Sequence, residues 1–568
     1  MGDSYVIALD FGTAYSGYAF NITTSKEESD PRLKRWGADQ GLDTPKTLTC
    51  ILFDQNEEFL KFGYEAKKTY IKMRGEEAKK HYLFEGFKMA LYGKDLNKNF
   101  KIKAANDKEM TALKVFSESL RFLKDDALKT INSKVPGQNF TPSDFTWVLT
   151  VPAIWDESAK QFMREAATQA GIVTEGTEDK LMIALEPEAA SVWCKKLPSD
   201  GFITQNHNSD SLDQTPGTQS IIVDCGGGTI DITVHEVLKR GALKEKHKAS
   251  GNNLGGKTVD RKFKKFIREI FTDGVWDEYK EMYPSEVQRM IFEFRCLKQV
   301  DEDIEIPCPF NLGKLARKKK DIEKFFESVQ GASWNKGVIK ISKEKLRSFY
   351  DESLQGMTKS LKEILEKDLN IDFILLVGGF ADSQILRQHI IEQFGGEYKI
   401  LCPVRPQEAI LRGAVEFGRN PKIVTYRRSR FTYGVAVLKK FDESEHKQEK
   451  KLIADGKEWC KDIFKILLEE GQDVAWNETK EHYLNAADPK QTQMSVRLFR
   501  TEKKNPEYVD DCGVEEIGSF VVKLCNSKTN QERKVKIELK FGSTEIRATG
   551  TDLNTGKKST LKFEFKNV

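Results

Sequence analysis

The chain has 568 residues, of which 39% are hydrophobic and 31% charged, and this length exceeds what one compact core holds, so we expect at least two domains. The 91 basic and 87 acidic residues nearly balance, and the net charge of +4 excludes a strong overall attraction to nucleic acid.

Targeting and cysteine patterns are those of a reducing compartment. No stretch approaches the roughly eighteen apolar residues of a membrane span, and Val6 stands where a myristoylation signal starting at Gly2 requires Ser or Thr. The nine cysteines include no CxxC pair and predict neither a disulfide framework nor a zinc site. We expect a cytoplasmic protein; the basic run Ala316–Lys320 is either a solvated helix face or a nuclear signal.

The first elements form a predicted hairpin. Residues 5–22, YVIALDFGTAYSGYAFNI, are two strands rich in β-branched and aromatic residues around a turn that carries Asp10, Gly12 and Thr13. Farther on, helical spacing of apolar residues predicts a helix from Leu113 to Ala127. Residues 145–153, FTWVLTVPA, then predict a strand, and residues 156–172 predict a helix that opens with capping residues. This alternation indicates an α/β architecture.

The pattern of the first hairpin returns later in the chain. Residues 197–219 are polar and rich in Ser, Asn, Gly and Pro, which predicts a surface loop. Residues 220–237, SIIVDCGGGTIDITVHEV, then repeat the order of apolar strand, Asp, Gly turn with Thr, and strand, which indicates an internal duplication. A third Gly turn, in ILLVGGF at 374–380, also follows an apolar strand.

After about Lys422 the pattern changes to period-two alternation. Apolar Val535, Ile537, Leu539 and Phe541 alternate with charged residues, and Leu561, Phe563 and Phe565 do the same. Such alternation predicts half-buried antiparallel strands, so we expect an all-β second domain after a short basic join, TYRRSRF.

The Gly turns suggest a polyphosphate site. Phosphate requires backbone N–H groups at close approach, which Gly turns supply, and carboxylates that recruit magnesium. Candidates for the first role are Gly12, Thr13 and the run Gly226, Gly227, Gly228 and Thr229, and candidates for the second are Asp10, Asp224 and Asp231. A lone Gly turn more often only connects strands, but three in this order are hard to explain by structure alone.

These motifs resemble a known family. The two hairpins, TVPA at 150–153, LEPEAA at 185–190 and NNLGGKTVD at 252–260 resemble the nucleotide-binding domain of 70-kilodalton heat-shock proteins. The resemblance covers nearly the whole chain, since IRATGTDLNTGKK at 546–558 is similar to the end of that family's β-sandwich. The insertion before DCGGGTID, FKMALYG at 87–93 and the RRSRFTYGV join most resemble the divergent 12A/12B branch.

The resemblance implies a fold and its boundaries. We expect a duplicated actin-like (ribonuclease H-like) α/β nucleotide-binding domain followed by an all-β sandwich. The predicted segments are lobe I at 1–196, a polar surface loop at 197–219, lobe II at 220–422, a basic linker at 423–431 and a substrate-binding-like β-sandwich at 432–568.

The resemblance also assigns site residues. It implies that Asp10, Glu186 and Asp224 hold a hydrated Mg²⁺, that Lys88 lies beside the γ-phosphate and the attacking water, that Thr229 contacts phosphate and that Asp231 lies near the water. The implied nucleotide contacts are Asp10, Gly12, Thr13, Ala14, Tyr15, Gly226, Gly227, Gly228, Gly255, Gly256, Gly378, Gly379 and Phe380.

Several positions depart from the family pattern. Ala14 replaces a Thr of the phosphate turn, Glu188 replaces the Thr after the EP pair, and FEFRCLKQ at 292–299 poorly matches the basic adenosine-binding helix. Phe380 and Asp382 replace a serine and an arginine near the adenine, and we hypothesise that Phe380 stacks on the base. Cys225, beside the Gly run, is either a small buried residue or a site of redox control.

The resemblance implies a slow ATPase that uses ATP/ADP and Mg²⁺ in a stress response and binds protein clients or signalling partners through the β domain. Co-chaperones or exchange factors are further implied partners. Because the sequence ends in β strands and its linker is basic, we do not expect lid-gated peptide trapping. A rival interpretation is a nucleotide-binding adaptor whose lobe closure is recognised by a partner; a small-molecule kinase is a third, which the β tail disfavours.

Overall fold

A computed structural model describes residues 5–22, 30–73, 76–94, 96–97, 99–135, 137–203, 214–454, 456–485, 491–524, 534–541 and 545–560. Contacts divide the chain into two compact units. The first comprises Met1–Thr233 and Ser250–Pro421, and the second comprises Val234–Ala249 and Lys422–Val568.

The chain contains strands and α-helices in alternation up to about residue 420 and strands thereafter. The strands up to that point are β1 (Tyr5–Phe11), β2 (Tyr15–Asn21), β3 (Arg32–Leu33), β4 (Thr47–Leu48), β5 (Cys50–Phe53), β6 (Phe59–Phe62), β7 (Tyr82–Glu85), β8 (Lys101–Lys103), β9 (Glu109–Thr111), β10 (Phe145–Val151), β11 (Leu181–Leu185), β12 (Phe202–Ile203), β13 (Gln219–Cys225), β14 (Ile230–Val237), β15 (Leu243–Asn252), β16 (Ile304–Pro307), β17 (Ala332–Asn335), β18 (Val338–Ile341), β19 (Ile371–Val377) and β20 (Lys399–Pro403). The helices are α1 (Gly63–Lys72), α2 (Glu76–Lys80), α3 (Ala112–Lys134), α4 (Glu157–Gln169), α5 (Glu186–Cys194), α6 (Lys257–Ile270), α7 (Val275–Met282), α8 (Pro284–Leu297), α9 (Phe310–Lys319), α10 (Lys343–Ser348), α11 (Asp351–Leu365), α12 (Gln384–Phe394) and α13 (Ala409–Arg419).

Two sheets of the first unit share one arrangement. In the first sheet the order is β11-β10-β1-β2-β3, with β1 antiparallel to β2 and parallel to β10, which is parallel to β11. In the second sheet, β20-β19-β13-β14 repeats this order, and the pairs β13–β19 and β19–β20 are again parallel. Each Gly turn therefore lies at the carboxyl end of a strand flanked by a parallel neighbour, where ligands of α/β sheets bind.

The predicted local elements of this unit are confirmed. Helix α3 buries Leu113, Phe116, Leu120, Leu123 and Ala127, the residues whose spacing predicted it. Residues 145–151 form the central strand β10, and α4 begins after Asp156, whose side chain accepts a hydrogen bond from the Ala159 N–H at 2.9 Å. The cap satisfies an N–H that the first helical turn leaves unpaired.

Helices α5 and α13 of the first unit pack closely through their backbones. Gly413 in α13 lies against Ala189 in α5, and a β-carbon at Gly413 would overlap the Ala189 carbonyl. Because α5 begins with Glu186, this packing also fixes the position of a predicted site residue.

The second unit consists mainly of antiparallel strands. They are β21 (Val424–Arg428), β22 (Thr432–Lys440), β23 (Lys451–Ala454), β24 (Lys457–Leu468), β25 (Asp473–Ala475), β26 (Thr479–Asn485), β27 (Gln493–Thr501), β28 (Val514–Lys523), β29 (Lys534–Lys540), β30 (Arg547–Asp552) and β31 (Lys558–Thr560). One sheet has the order β23-β24-β22-β27-β28 and another the order β26-β29-β30-β31. Both sheets contribute to one hydrophobic core, to which β29 supplies Val535, Ile537 and Leu539 as their alternation predicted.

The structure describes the basic join fully, but it describes the polar stretch and the C-terminal alternation only in part. The basic join contains β21, which pairs with β15 and β25. Of the polar stretch 197–219, residues 204–213 lie outside the described residues, as do Leu561, Phe563 and Phe565. None of the described helices combines the length and apolar character that crossing a membrane requires.

Candidate functional site

The turns of the two hairpins lie against each other. A β-carbon placed on Gly227, between β13 and β14, would lie 2.7 Å from the β-carbon of Ala14, between β1 and β2. A β-carbon on Gly228 would lie 2.5 Å from the Thr13 hydroxyl oxygen and 2.6 Å from Cγ of Met89. A larger side chain at either glycine would separate the turns, because neighbours on the other hairpin already fill that space.

Both turns offer backbone N–H groups to a ligand. Within the described part of the chain, the amides of Thr13, Ala14, Gly227 and Gly228 donate to no other residue. Consecutive free amides in a turn form a concavity that binds anions. The two facing turns therefore leave unpaired amide donors on both hairpins.

A segment behind the second turn fixes the direction of these amides. The N–H groups of Gly255 and Gly256 donate to the carbonyls of Gly228 and Gly226 at 3.2 and 3.1 Å, and the Lys257 N–H donates to the Gly227 carbonyl at 2.8 Å. In a trans peptide the carbonyl of one residue and the amide of the next point in opposite directions. Holding the carbonyls of Gly226 and Gly227 from behind thus turns the next two amides toward the opposite side.

Four buried carboxylates surround the turns: Asp10, Glu186, Asp224 and Asp231. Two buried lysines pair with two of them. Lys88 donates to Oε1 of Glu186 at 2.5 Å, and Lys46 donates to Oδ2 of Asp10. The Ile154 N–H donates to Oδ1 of Asp231 at 2.9 Å. Lys46 has no local sequence signal, and sequence reasoning did not identify it.

Burial and the neighbouring charges shift the pKa values of these acids. Burial raises the pKa of Glu186 to about 7. The Lys88 ammonium opposes this rise, and the Asp10 charge adds to it. Burial, and then the charges of Glu186 and Asp231, raise the pKa of Asp224 well above its usual range. The two lysines therefore do not fully offset the burial of these acids and their repulsion of one another.

These residues fit a hydrated magnesium ion. Oδ1 of Asp224 and Oδ2 of Asp231 are buried and have no hydrogen-bond partner within the described residues, which is costly unless a ligand or cation satisfies them. No three Asp, Glu, His or Cys side chains of the described ranges converge to hold a metal directly. Any contact of several carboxylates with Mg²⁺ would thus run through its water, as this ion often prefers.

The third Gly turn closes the cluster from another side. Gly378 has φ of +85°, and a β-carbon there would overlap Oδ1 of Asp224. Two residues on, the ring of Phe380 stacks on Tyr350 with centroids 5.6 Å apart and planes 22° apart. Asp382 accepts a hydrogen bond from Gln407. Whether Phe380 also stacks on a base stays a prediction.

These groups line one cleft of the first unit, which is partly open to solvent. The predicted residues that line it are Asp10, Gly12, Thr13, Ala14, Tyr15, Glu186, Asp224, Gly226, Gly227, Gly228, Thr229, Gly256, Gly378, Gly379 and Phe380. Lys88, Asp231 and Gly255 lie behind this wall, and Lys88 contacts the cleft through Glu186.

Basic residues that sequence reasoning missed line the other end of the cleft. Nε of Arg295 and Nζ of Lys298 donate to Asp260 at 2.7 and 2.5 Å, and Lys298 also donates to the Gly256 carbonyl at 2.7 Å. Lys257 crosses to Gly86, whose β-carbon would overlap its ammonium. Arg295 and Lys298 belong to the segment that poorly matches the family's adenosine helix, so this end of the cleft is basic despite the mismatch.

The environment of Cys225 argues against redox control. Its side chain is fully buried, and burial together with the Asp224 charge raises the pKa of its thiol well above the usual range. The reactive thiolate is therefore scarce.

The duplicated sheets and the facing glycine turns define an actin-like nucleotide-binding fold. Residues 72–418, more than half of the chain, match the family described as Hsp70 protein. The chain belongs to this family, whose members bind ATP and act as chaperones or in chaperone-like roles.

Relatives extend the similarity over nearly the whole chain. Heat shock 70 kDa protein 12A of Mus musculus is 33% identical, with 99% of this chain and 91% of the relative covered. Heat shock 70 kDa protein 12B of Homo sapiens is 32% identical with the same coverage. Chaperone protein DnaK of Thermosipho melanesiensis is 21% identical over 98% of this chain and 80% of its own length. The predicted resemblance to the 12A/12B branch is confirmed.

Proposed function

We propose that the first unit binds ATP with Mg²⁺ in its cleft and hydrolyses it slowly to ADP and phosphate. The observation that carries this proposal is the pair of glycine turns, whose free amides face one space from two hairpins. A triphosphate fits such a space because backbone amides approach it closely and a cation can bridge it to the carboxylates.

The buried side chains support a phosphoryl-transfer role. Asp224 would hold the hydrated magnesium, with Asp10 and Glu186 as additional acceptors, and the ion would neutralise charge on the phosphates. The Asp231 carboxylate is held by the Ile154 amide, so it can accept a proton or a hydrogen bond from water in a fixed direction. Lys88 keeps Glu186 in place and adds positive charge. Such positioning and charge stabilisation provide most of the catalysis of phosphoryl transfer.

We propose that the same contacts make hydrolysis slow. Lys88 is only 1% exposed and its ammonium is already bound to Glu186, so it must exchange a strong charge-assisted hydrogen bond before it can contact phosphate. We propose that this exchange limits turnover. The protein would then spend most of its cycle in a nucleotide-bound state.

For the second unit we propose a β-sandwich that binds extended protein segments. Its two sheets bury one common core, and the alignment with a protein named as a chaperone covers 98% of the chain and so includes this unit. We also propose the boundaries of the two lobes, the surface loop and the linker as the sequence predicted them. Binding of an unfolded, carboxymethylated protein to the full chain, measured by fluorescence anisotropy with and without ATP, tests it. Absence of binding in both states would contradict it.

Single-turnover hydrolysis tests the ATPase proposal. Wild type, Lys88→Ala and Asp231→Ala are each mixed in excess with labelled ATP, and nucleotide affinity is measured in parallel. We expect slow hydrolysis by wild type, a loss of at least about a hundredfold in rate in both variants, and retained binding in Asp231→Ala. Equal rates in all three proteins would exclude these two side chains from the chemistry.

A nucleotide-binding adaptor is the second candidate. It is favoured by the placement of Lys88 and Asp231 behind the cleft wall, because a site that only binds nucleotide does not need them at the surface. Tight binding of ATP without hydrolysis by any of the three proteins would favour this alternative.

A further inference from the structure

Lys46 reaches the acidic cluster by a specific backbone arrangement. Strand β4, which begins at Thr47, pairs with β2 and places Lys46 beside the first hairpin. Asp10 in β1 lies directly across from Gly17 in β2. Cγ of Lys46 lies 3.2 Å from where a Gly17 β-carbon would be, so the missing side chain lets the lysine stem cross β2. Its ammonium then donates to Asp10 inside the cleft wall.

This pair changes the charge that a polyphosphate encounters. Without Lys46, the phosphate end would present four buried carboxylates and one buried ammonium, Lys88. Lys46 pairs with Asp10 and Lys88 with Glu186, so of these four carboxylates only Asp224 and Asp231 keep a buried oxygen without a partner among the described residues. The repulsion between the site and an anionic ligand is correspondingly smaller, because these charges interact through a poorly screened interior.

We propose that Lys46 is a built-in counter-charge of the phosphate site, which lets the cleft hold a nucleoside diphosphate or triphosphate with little help from a divalent cation. The inference rests on the proposed nucleotide-binding function and adds the metal-free nucleotide to its ligands. Lys46 and its partner Asp10 both line the cleft, so the ion pair lies where a ligand would bind. A buried ion pair often contributes little net stability. A stabilising role alone therefore does not explain why this lysine lies at the cleft.

The test measures the affinity of the full chain for a fluorescent ADP analogue in excess magnesium and in excess EDTA. The ratio of the two dissociation constants reports how much the site depends on a divalent ion. The variants are Lys46→Met, Lys46→Gln and Asp10→Asn. The matched control is Lys160→Met, which removes another buried lysine, in α4, that pairs with Glu157 at 2.9 Å and lies outside the cleft lining.

We expect the EDTA-to-magnesium ratio of Lys46→Met to exceed that of wild type by at least about tenfold, because magnesium compensates for the lost ammonium and EDTA removes the compensation. Lys160→Met keeps the wild-type ratio. Asp10→Asn tightens binding in EDTA, because it frees the Lys46 ammonium for the ligand. Urea unfolding of each variant verifies folding, and Lys46→Gln replaces Lys46→Met if the latter does not fold.

The results separate this inference from the proposed function. If wild type binds the analogue in magnesium but the ratio of the Lys46 variants rises less than about tenfold, the counter-charge is overturned and nucleotide binding stands. An Asp10→Asn variant that binds more weakly in EDTA also overturns it. If wild type binds no nucleotide even in magnesium, both proposals fail together.

Discussion

Gly227 touches Ala14 across the two hairpins: a β-carbon on the glycine would lie 2.7 Å from that of the alanine. The two residues lie in turns that connect strands of two different sheets. Their contact brings the free amides of both turns to one place, and the candidate nucleotide site follows from that convergence.

Replacing this glycine should destabilise the first unit. Gly227→Ala inserts a methyl group against Ala14, and we expect the free energy of unfolding to fall by about 1–3 kcal/mol. Gly396→Ala is the control, because Gly396 has an ordinary φ and open space around its missing side chain, and its effect should stay within about 0.5 kcal/mol. Urea denaturation measures both. Equal stabilities of the two variants would contradict the close approach of the turns.

Removal of the Phe380 ring should weaken binding of the base without affecting binding of the phosphates. Phe380 lines the cleft with one face on Tyr350, so a base stacked on it would extend an existing pair. We expect Phe380→Ala to lower ATP affinity about tenfold, in line with one stacking contact, and to leave the affinity for inorganic tripolyphosphate unchanged. Phe380→Tyr, which keeps the ring, serves as the control. Unchanged ATP affinity in Phe380→Ala would refute the stacking hypothesis.

Local sequence patterns predicted the parts of the site whose signal is contiguous. The strand, acid, glycine and threonine of each hairpin lie within a few residues, so the turns at Gly12 and Gly227 could be identified from order alone. The same holds for α3 and β10, whose periodicity matches their burial.

Long-range contacts could not be predicted in this way. Lys46 looks like any other lysine, and only the pairing of β4 with β2 directs it to Asp10. Arg295 lies on α8 and Lys298 directly follows that helix, but both meet Asp260 of α6, a pairing that depends on how the two helices pack. No pattern within one segment predicts a contact between residues so far apart in the sequence.

The stability of the nucleotide-free protein should depend on pH through Lys257. Burial, reinforced by the Arg295 charge, lowers the pKa of Lys257 from 10.5 to about 7. Between these two pH values the unfolded chain binds more protons than the folded one. The destabilisation caused by burying the Lys257 ammonium is therefore complete below pH 7 and disappears as pH rises toward 10.5.

We therefore expect Lys257→Met to raise the free energy of unfolding by about 1 kcal/mol at pH 6.5, because it removes a buried ammonium. The gain should be smaller at about pH 9.5, where the wild-type lysine is largely neutral in the folded state. Urea titrations at the two pH values measure the difference. If the free energy of unfolding rises equally at both pH values, or rises more at the alkaline one, burial of the Lys257 ammonium does not destabilise the protein.

Cysteine reactivity should follow exposure. Cys296 and Cys512 are exposed, whereas Cys225 is buried and its thiol pKa is raised. We expect a thiol reagent to label the two exposed cysteines at least about tenfold faster than Cys225, and mild peroxide to leave ATP affinity unchanged. Mass spectrometry of the labelled peptides distinguishes the sites. Rapid oxidation of Cys225 with loss of ATP affinity would restore the redox hypothesis.

The most direct measurement is calorimetric titration of Mg-ATP into wild type, Gly228→Val and the control Gly396→Ala. A side chain at Gly228 would occupy the space next to the Thr13 hydroxyl and Met89, between the two turns. We expect one ATP per chain for wild type and the control, and an affinity at least about a hundredfold weaker for Gly228→Val, since several charge-assisted hydrogen bonds to phosphate are lost together. Absence of binding to wild type, or equally tight binding of Mg-ATP to Gly228→Val and wild type, would contradict a nucleotide site between the two turns.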